Sequence, residues 1–493
     1  MIPETPQLLT TSLPLIPQSV FLFAGIEYAA LKENSDFYLA VLADENDDRL
    51  TPFEGERTSI GKKKLVYGHR SAHNIAILRA QLPWLQPRLI GSHTSAGMGD
   101  RLGLATPGHV RAIRKVDNAL DPIFAQQSIR EMVRSGRSPQ QVMDDATWGV
   151  FQENWQGGFG ADADHLKTTE DIDVCLEAGY TFFTIDPGDY VDNRAETASL
   201  SELREMVNML PVEMQLKANG LLKKAFQLEH VKVTFEERIL LKAMAKYGRA
   251  VWHVAAMYRH LVDKAGEKPF ELEVSVDETA QPTSHAEHVY IASELKRLGV
   301  RWVSLAPRYV GTFEKGVDYI GDIATFEEDI AGHAAIARCF GQYKLSLHSG
   351  SDKFSIYPAA IRQTHGLVHL KTAGTSYLEA LRTIADIDAN LFREIYSFAR
   401  EHYEADKISY HVSAQLMRAP LPEEVKGGKA LLDQFDAREI MHVTFGSVLK
   451  AIKPDGGMLF RDRLLKLLYI NQDKYAENLE KHFVHHLSLL TQE

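Results

Sequence analysis

The chain has 493 residues, of which 45% are apolar and 25% charged, a composition typical of an ordinary globular protein that gives no reason to expect disorder. Its 55 Lys and Arg residues against 66 Asp and Glu residues give a net charge of -11. This charge repels polyanions and argues against nucleic acid as a partner. Two cysteines cannot build a disulfide framework, so a reducing compartment is expected.

The N-terminal segment, MIPETPQLLTTSLPLIP, has no basic region and is interrupted by prolines where a secretion signal would carry an unbroken apolar run. The sequence also contains no uncharged apolar run of about 18 residues, the minimum for a membrane-spanning helix. These features predict a cytoplasmic protein without a membrane partner. The sequence leaves the oligomeric state open, a homo-oligomer included.

Residues 1–82 combine short β-like runs with turn residues, and they predict an N-terminal extension that contains β-structure. The candidate strands of this extension are residues 19–25, 37–42 and 64–67. A segment punctuated by prolines, LPWLQPRLIGS, then marks the boundary with the next part of the chain.

Beyond residue 82, short β-rich runs alternate with helical patterns such as SIREMVRSG and HAEHVYIASELKRLG. Strands that alternate with helices predict parallel βαβ units. Eight candidate strands predict a closed (β/α)8 barrel, the TIM-barrel form of the α/β class, over residues 83–375. These candidate strands are residues 88–93, 122–127, 159–167, 180–186, 270–277, 300–306, 343–348 and 366–371.

Two segments depart from this alternation. The stretch at about 195–265 is rich in helix formers and predicts a helical insertion between the fourth and fifth strands. Residues 376–493 carry amphipathic spacing and predict a helical C-terminal extension. Three histidines near the end of this extension show no ligand spacing, and a solvated helix face is expected for them; they are His482, His485 and His486.

Polar residues at the ends of three predicted strands are the candidates for chemistry, because the active site of such a barrel lies at the C-terminal ends of its strands. The third strand reads FGADADHLK and places Asp164 beside His165. The fifth reads FELEVSVDET, where alternation puts Glu273 on the polar face. The seventh reads YKLSLHSGS and ends at His348.

Two imidazoles and a carboxylate from three strand ends can form a three-ligand site with open positions, which a catalytic divalent metal requires. Each residue alone could equally be a hydrogen-bonded structural group, so the prediction rests on the equivalent positions of His165, Glu273 and His348. Such ligands suit Zn, Mn, Co or Ni, and Zn is the first expectation. Asp164 is the candidate acid and base, with support of a ligand as its alternative role.

The segments ADADHLK, ELEVSVDE and LHSGS resemble those of class II, metal-dependent aldolase barrels. In that family an Asp-His pair, a strand-borne glutamate and a His-Gly-Gly-Ser-Gly-like turn build the site. The resemblance implies that Asp164 is the acid and base, that His165 and His348 are metal ligands, and that Glu273 is the metal-binding carboxylate. The sixth strand departs from the pattern, since it ends WVSLAPRYVGTFEKG without a histidine.

A second resemblance covers nearly the whole chain. The segments GMGDRLGLATPGHVRAI, DDATWGVFQENW, ADADHLKT and SLHSGSDKFSIYP resemble the tagaturonate epimerase family. This resemblance implies a metal-dependent isomerase that interconverts D-tagaturonate and D-fructuronate. These uronates differ at a carbon whose C–H bond the ketone does not acidify, so retro-aldol cleavage and aldol closure are expected, with Asp164 moving the hydroxyl proton.

A uronate substrate also needs positive charge near its carboxylate. Arg101, Lys167, Arg308 and Lys353 are the candidates, and a surface salt bridge is the alternative for each. Arg101 and Lys353 rank first because glycine and serine flank them. The glycines of GMGDRLG do not keep the GxGxxG spacing, which argues against a bound dinucleotide.

Three alternatives to the epimerase stay open at this point. An aldolase that releases its fragments would use the same residues in the same roles. Transient oxidation by a bound nicotinamide would also invert a carbon whose C–H bond is not acidic. A sugar-acid-binding protein that kept the barrel would need none of the three ligand types at the strand ends.

Overall fold

The computed structural model describes residues 6–117, 119–229, 231–372, 374–424 and 428–491. Within these ranges, no helix is both long enough and apolar enough to cross a membrane.

The N-terminal part forms a five-stranded antiparallel sheet in the order β1-β2-β3-β5-β4. Its strands are β1 (Phe21–Phe23), β2 (Ile26–Glu33), β3 (Asp36–Asp44), β4 (Glu56–Ile60) and β5 (Lys63–His69). Alternate residues of β2 enter opposite cores, since Tyr28 and Ala30 pack toward the barrel whereas Ala29 and Leu31 belong to a small separate cluster. The extension therefore contains β-structure, as predicted, with β2 and β4 in addition to the three predicted runs.

A closed barrel of eight strands follows, which confirms the predicted fold class. Around the barrel the order is β6-β7-β8-β9-β12-β13-β14-β15, and β15 pairs with β6 to close it. All eight pairings are parallel. The strands are β6 (Ser95–Gly97), β7 (Asp121–Ser128), β8 (Gly160–Leu166), β9 (Phe182–Ile185), β12 (Glu271–Val276), β13 (Ser304–Pro307), β14 (Lys344–Leu347) and β15 (Val368–Lys371).

The prediction of a first barrel strand at residues 88–93 is wrong, because that stretch is a loop and the strand is β6. The backbone N–H groups of Ile90 and Gly91 donate to the carboxylate of Glu271, at 2.8 and 2.6 Å, instead of to a neighbouring strand. Glu271 is the first residue of β12, so this loop covers the N-terminal end of the barrel. Ile90 is the buried residue of this segment, whereas Leu89 is 38% exposed.

The helices begin where side chains satisfy the free N–H groups of the first turn. Reciprocal capping boxes start four of them, at Ser138, Thr168, Ser199 and Ser284. The α-helices are α1 (Ala72–Gln81), α2 (Thr106–Lys115), α3 (Ile129–Ser135), α4 (Pro139–Gln152), α5 (Thr169–Glu177), α6 (Leu200–Asn208), α7 (Val212–Ala218), α8 (Glu237–Ala265), α9 (His285–Arg297), α10 (Ile323–Phe340), α11 (Tyr357–Thr364), α12 (Thr375–Ile387), α13 (Ala389–Asp406), α14 (Gly428–Leu431), α15 (Phe435–Val443), α16 (Phe445–Lys450), α17 (Arg461–Ile470) and α18 (Gln472–Leu490).

The insertion between β9 and β12 contains α6, α7 and α8, and also a short hairpin that the sequence does not predict. The hairpin consists of β10 (Ala225–Leu228) and β11 (Val231–Thr234). After β15 the described chain is helical, as expected. One continuous hydrophobic core contains Phe21 of the first sheet, Leu305 of the barrel and Leu479 of α18, so the three predicted segments pack together.

The expectation of a solvated face for the last histidines is wrong for two of them. His486 is fully buried, and its Nε2 accepts a hydrogen bond from the backbone N–H of Asp352 at 3.0 Å. Nε2 of His482 lies 2.7 Å from Oδ1 of Asp352. His485 is exposed, as expected. The buried His486 and the partly exposed His482 attach α18 to the turn that follows β14.

Candidate active site

A cavity of about 310 Å³ opens at the C-terminal ends of the barrel strands. Asp164, His165 and His348 line it, so the residues that the strand-end rule selected meet at one cavity. Lys371, at the end of β15, also lines the cavity. Glu273 lies immediately beneath, fully buried in the barrel.

Asp164 and His165 both face the cavity although they are neighbours on one strand. The backbone of His165 is left-handed, with φ of 53°, and the pairing of β8 with β9 is irregular between Ala163 and Leu166. This irregularity breaks the alternation that would send the two side chains to opposite faces. Strain of this kind in a non-glycine residue is characteristic of functional sites.

The Asp164 carboxylate holds the His165 ring in place. Oδ1 of Asp164 lies 2.7 Å from Nδ1 of His165, and because an ionised carboxylate can only accept, Nδ1 carries the proton. The other ring nitrogen, Nε2, is then free to bind a metal ion. This contact is the geometry that support of a ligand, the alternative role of Asp164, would require, while Oδ2 of Asp164 accepts a hydrogen bond from Gln126 at 3.1 Å.

His348 lies between two carboxylates of β12 and the loop after it. Its Nε2 is 2.6 Å from Oε1 of Glu273, and its Nδ1 is 3.1 Å from Oδ1 of Asp277. The rings of His348 and His165 are close, with centroids 4.9 Å apart. The predicted three residues are therefore brought together, with Asp277 as a fourth.

Lys371 connects the carboxylates beneath the cavity. Its Nζ lies 2.8 Å from Asp162, 2.7 Å from Asp164 and 2.8 Å from Glu273. It also donates to the hydroxyl of Thr184 at 2.6 Å. One buried ammonium group thus balances part of the charge of three buried carboxylates.

These contacts shift the pKa values of Asp164, His165, Glu273, His348 and Lys371. Burial opposes charge on each group, but the partner charges outweigh it. Against burial, Asp164 raises the pKa of His165 to about 9, and Asp277 and Glu273 raise the pKa of His348 to about 10. Against burial, His165 and Lys371 hold the pKa of Asp164 well below its usual range, and Lys371 and His348 do the same for Glu273. Asp162, Asp164 and Glu273 raise the pKa of Lys371 in turn, although burial opposes this.

The residues present fit a divalent metal ion. His165, Asp277 and His348 each offer a ligand atom, and these atoms lie within 4.8 Å of one another. Two imidazoles and a carboxylate form a donor set for Zn, Mn, Co or Ni. Glu273, the predicted carboxylate ligand, is held by Lys371 through Oε1, while its Oε2 has no hydrogen-bond partner among the described residues. Either carboxylate could complete the set.

The four predicted substrate-binding residues occupy different places. Arg101 and Arg308 line the cavity. Arg101 donates to Glu131 at 2.6 and 3.0 Å, whereas Arg308 donates to the carbonyl of Thr279. Neither Lys167 nor Lys353 belongs to the cavity lining that the structure describes.

The two lysines are engaged elsewhere. Lys167 is half-exposed and pairs with Asp189 at 2.9 Å, which matches the alternative reading as a surface salt bridge. Lys353 is fully buried, and its Nζ donates to the carbonyl oxygens of Ser351, Glu314 and Val317. Its contacts fix two loops beside the cavity. A buried ammonium with three acceptors has no donor left for a ligand, so Lys353 has none to offer the substrate carboxylate.

Sequence reasoning missed several residues of the cavity. Lys371 and Asp277 follow or end predicted strands, so the rule that selected His348 could have found them. Lys315 lies in the loop after β13, and its ammonium group has no ion-pair partner within 4 Å in the described part of the chain. His442 comes from α15, about 70 positions beyond the last strand, and no local pattern places it at the mouth.

The C-terminal extension covers the mouth of the barrel. Tyr410, His411 and His442 line the cavity from above. The His442 ring packs against Gly374, where an added Cβ would lie 1.7 Å from its Nε2. Glycine is therefore required at this position for the cover to seat on the barrel.

Known proteins resemble the chain over nearly its whole length. A model of the tagaturonate epimerase family matches residues 17–490. The tagaturonate/fructuronate epimerase of Thermotoga maritima is 43% identical over 472 residues, covering 94% of each chain. The crystal structure of the fructuronate-tagaturonate epimerase of Cohnella laeviribosi superposes with a TM-score of 0.91 and 37% identity, covering 98% of each chain. A glycerol complex of the same protein gives the same values.

Proposed function

This chain belongs to the tagaturonate epimerase family, and from that premise we propose that it interconverts D-tagaturonate and D-fructuronate by retro-aldol cleavage and aldol closure. The observation that carries the mechanism is the grouping of two imidazoles, several carboxylates and Lys371 around one cavity at the strand ends. The reaction would take place in this cavity.

The structures of the two uronates favour breaking a C–C bond. They differ at a hydroxyl-bearing carbon that is one removed from the carbon next to the ketone, so the ketone does not acidify the C–H bond at that carbon. The ketone does activate the C–C bond leading to it. Cleavage leaves the enediolate of dihydroxyacetone and a three-carbon aldehyde acid, and closure on the other face of the aldehyde inverts the centre.

Asp164 is the proposed proton carrier. As the C–C bond breaks, the hydroxyl of the departing carbon must lose its proton to become the aldehyde oxygen, and that proton returns on closure. Oδ1 of Asp164 already accepts from His165 and Lys371, whereas Oδ2 accepts only from Gln126 in the described structure. Oδ2 is therefore the oxygen with capacity to take the proton.

Lys371 contributes positive charge without forming a covalent bond to the ketone. Imine formation needs a neutral amine, but Asp162, Asp164 and Glu273 raise the pKa of Lys371 in spite of its burial. The ammonium can instead stabilise negative charge that develops on the oxygens of the cleaved sugar. These contacts favour the class II over the imine-forming type of aldol chemistry.

A divalent ion bound by His165, His348 and either Asp277 or Glu273 would supply Lewis-acid stabilisation of the enediolate. The chain's own part is to orient these ligands. Asp164 holds Nδ1 of His165, and whichever carboxylate is not a ligand holds the second nitrogen of His348.

Lys315 and Arg308 are the proposed partners of the substrate carboxylate. Both line the cavity, and neither has a carboxylate partner within salt-bridge distance among the described residues. Burial, together with the nearby Arg130 guanidinium, lowers the pKa of Lys315. The negative charge of a bound substrate carboxylate would offset the repulsion between Lys315 and Arg130. Arg101, by contrast, is already paired with Glu131.

The cover formed by the C-terminal extension favours an epimerase over an aldolase. Cleaved fragments must stay together long enough for the aldehyde to turn and reclose. Tyr410, His411 and His442 enclose the space above the strand ends, which supports retention of both fragments.

Turnover of D-tagaturonate with added Zn, Mn, Co or Ni tests the proposal, with both the epimer and the three-carbon fragments measured. We expect D-fructuronate to form in large excess over free fragments. Turnover in D2O should leave the inverted carbon without deuterium, because its C–H bond is never broken. Fragments in excess would identify an aldolase, and deuterium at that carbon would establish direct proton abstraction.

A further inference from the structure

A second group of metal-ligating side chains lies outside the barrel, between helices α9 and α10. His285 is the first residue of α9, and Asp329 and His333 lie four positions apart on one face of α10. One ligand atom from each residue lies within 4.8 Å of the other two. The proposed epimerase mechanism uses none of these residues.

The distances suit a four-coordinate ion. Nε2 of His285 lies 3.7 Å and Nε2 of His333 lies 3.6 Å from Oδ1 of Asp329. Ligand atoms at the corners of a tetrahedron with metal bonds of 2.0–2.1 Å are about 3.3 Å apart. A small contraction would therefore bring each imidazole nitrogen to the spacing from Oδ1 that a shared ion requires.

The His333 imidazole is buried and incompletely paired. Its side chain is fully buried, and Nε2 has no hydrogen-bond partner among the described residues, although the Thr283 carbonyl also faces the ring. Nδ1 lies 2.9 Å from Nδ1 of His288, whose Nε2 is 2.8 Å from the hydroxyl of Tyr343.

Neither tautomer of His333 gives Oδ1 of Asp329 a hydrogen-bond donor. If Nδ1 of His333 donates to His288, the lone pair of Nε2 faces that carboxylate oxygen and is repelled. If His288 donates instead, the N–H of Nε2 lies 3.6 Å from Oδ1, which is too long for a hydrogen bond, and the Thr283 carbonyl is then the acceptor that faces it. A cation between Nε2 and Oδ1 satisfies both atoms, and the first tautomer then supplies the ligand nitrogen.

The backbone leaves room for the His285 ring. At Gly332, on the turn between Asp329 and His333, an added Cβ would lie 2.2 Å from Cε1 and Nε2 of that ring. Nε2 of His285 also lies 3.0 Å from the Asp329 carbonyl. Metal binding would move its proton to Nδ1, on a side chain that is 27% exposed and can donate to water.

We propose that His285, Asp329 and His333 form a second metal site, which binds a divalent transition-metal ion such as Zn2+, Co2+ or Ni2+ and joins α9 to α10. Three protein ligands leave one position for water. The site lies behind the cavity wall, since Oδ2 of Asp329 accepts from the backbone N–H of Val310 at 3.0 Å and the Tyr309 ring packs edge-on against His333. The ion would therefore also hold the loop after β13 in place.

Cobalt titration of chelator-treated protein tests the proposal independently of catalysis. Co2+ binding is followed by visible absorption and by calorimetry in the His165→Ala protein, where the active-site ligand set is broken. We expect this protein to keep one equivalent of Co2+. The added change His285→Gln, which retains a donor for the Asp329 carbonyl, should remove that equivalent. Asp329→Asn, which retains an acceptor for Val310, should do the same.

His260→Gln is the matched control. His260 is a helical histidine of similar exposure that contacts one carboxylate, Asp173, at 2.7 Å, and it belongs to no three-residue ligand group in the described chain. His260→Gln should leave the bound equivalent of Co2+ unchanged. Circular dichroism checks that each variant is folded. Equal Co2+ binding with and without His285→Gln would overturn the proposal. If His165→Ala keeps both equivalents, the loss of one on changing His285 still supports it.

Discussion

The two histidines proposed as metal ligands in the cavity should determine how much metal the purified protein retains. We expect His165→Ala and His348→Ala each to lose the active-site equivalent while the fold stays intact, because a site with two remaining ligands binds far more weakly. Metal analysis of the purified variants measures this. A His348→Ala protein that keeps a full active-site equivalent would show that the ligand set is wrong.

Metal analysis of purified variants also decides which carboxylate, Asp277 or Glu273, is the metal ligand. Asp277→Asn and Glu273→Gln preserve shape, and only the change at the true ligand should release the ion. The ligand atom of Asp277 lies close to those of His165 and His348, which favours Asp277 as the ligand. The sequence instead predicts Glu273. Equal retention by both variants would exclude a carboxylate ligand from this pair.

Asp164 has a distinct predicted effect on turnover. Asp164→Asn keeps an acceptor for the Nδ1–H of His165, so we expect the variant to retain metal and bind substrate. It should lose roughly 10²- to 10⁴-fold in kcat, the usual contribution of general acid–base catalysis. Steady-state kinetics with parallel metal analysis measures both. A variant with normal kcat and reduced metal content would assign Asp164 to ligand support alone.

At the scale of structural elements, the loop between β13 and α10 carries the proposed substrate-binding residue Lys315 and is rigidly anchored. Lys353 fixes this loop through the carbonyls of Glu314 and Val317, which flank Lys315. Arg438 donates to the carbonyl of Gly316 within the same loop. The only sequence signal here is a lysine between glycines in GTFEKG, which by itself does not indicate a binding residue.

Lys315→Met should therefore raise KM for the uronate by about 10- to 100-fold, with a smaller effect on kcat, since a hydrogen bond to a charged group contributes about 1.5–3 kcal/mol. Lys264→Met on α8 is the control, because Lys264 lies near Asp173 outside the cavity. Kinetics over a range of substrate concentrations gives both constants. An unchanged KM for Lys315→Met would transfer the carboxylate-binding role to Arg308.

At the scale of the whole molecule, one buried carboxyl couples stability to pH. Burial, and then the neighbouring Glu314 carboxylate, raise the pKa of Glu439 to about 9. An unfolded glutamate has a pKa of about 4.3. The unfolded chain therefore releases this proton first, and the contribution to stability is fully present below about pH 4 and is lost progressively as the pH rises to about 9.

Between about pH 5 and pH 9, Glu439 should lower the free energy of unfolding of the wild-type protein as the pH rises. We expect this decrease to be smaller in Glu439→Gln. Denaturant unfolding at several pH values measures this, with the exposed Glu477→Gln on α18 as the control. A parallel pH dependence in wild type and Glu439→Gln would show that Glu439 is ionised in the folded protein.

The fold and the centre of the site were predictable because their signals are local. Alternating strands and helices indicate a barrel, and polar residues that end apolar runs identified Asp164, His165 and His348. Residues 88–93 form a loop instead of the predicted strand because the N–H groups of Ile90 and Gly91 bond to the Glu271 side chain, a contact that the short apolar run does not reveal. Lys315 and His442 reach the cavity only through tertiary packing, so no spacing in the sequence identifies them.

Barrel closure also has a consequence for the order of events during synthesis. β6 pairs with β15, and the side chains of Ser95 and His369 that meet there are 274 positions apart in the chain. During synthesis β6 must therefore wait for its partner strand until more than 270 further residues have emerged, and contacts of such separation slow folding. α18, which packs against α2 near the start of the barrel, is made later still, so the face of α2 that it covers stays exposed until then.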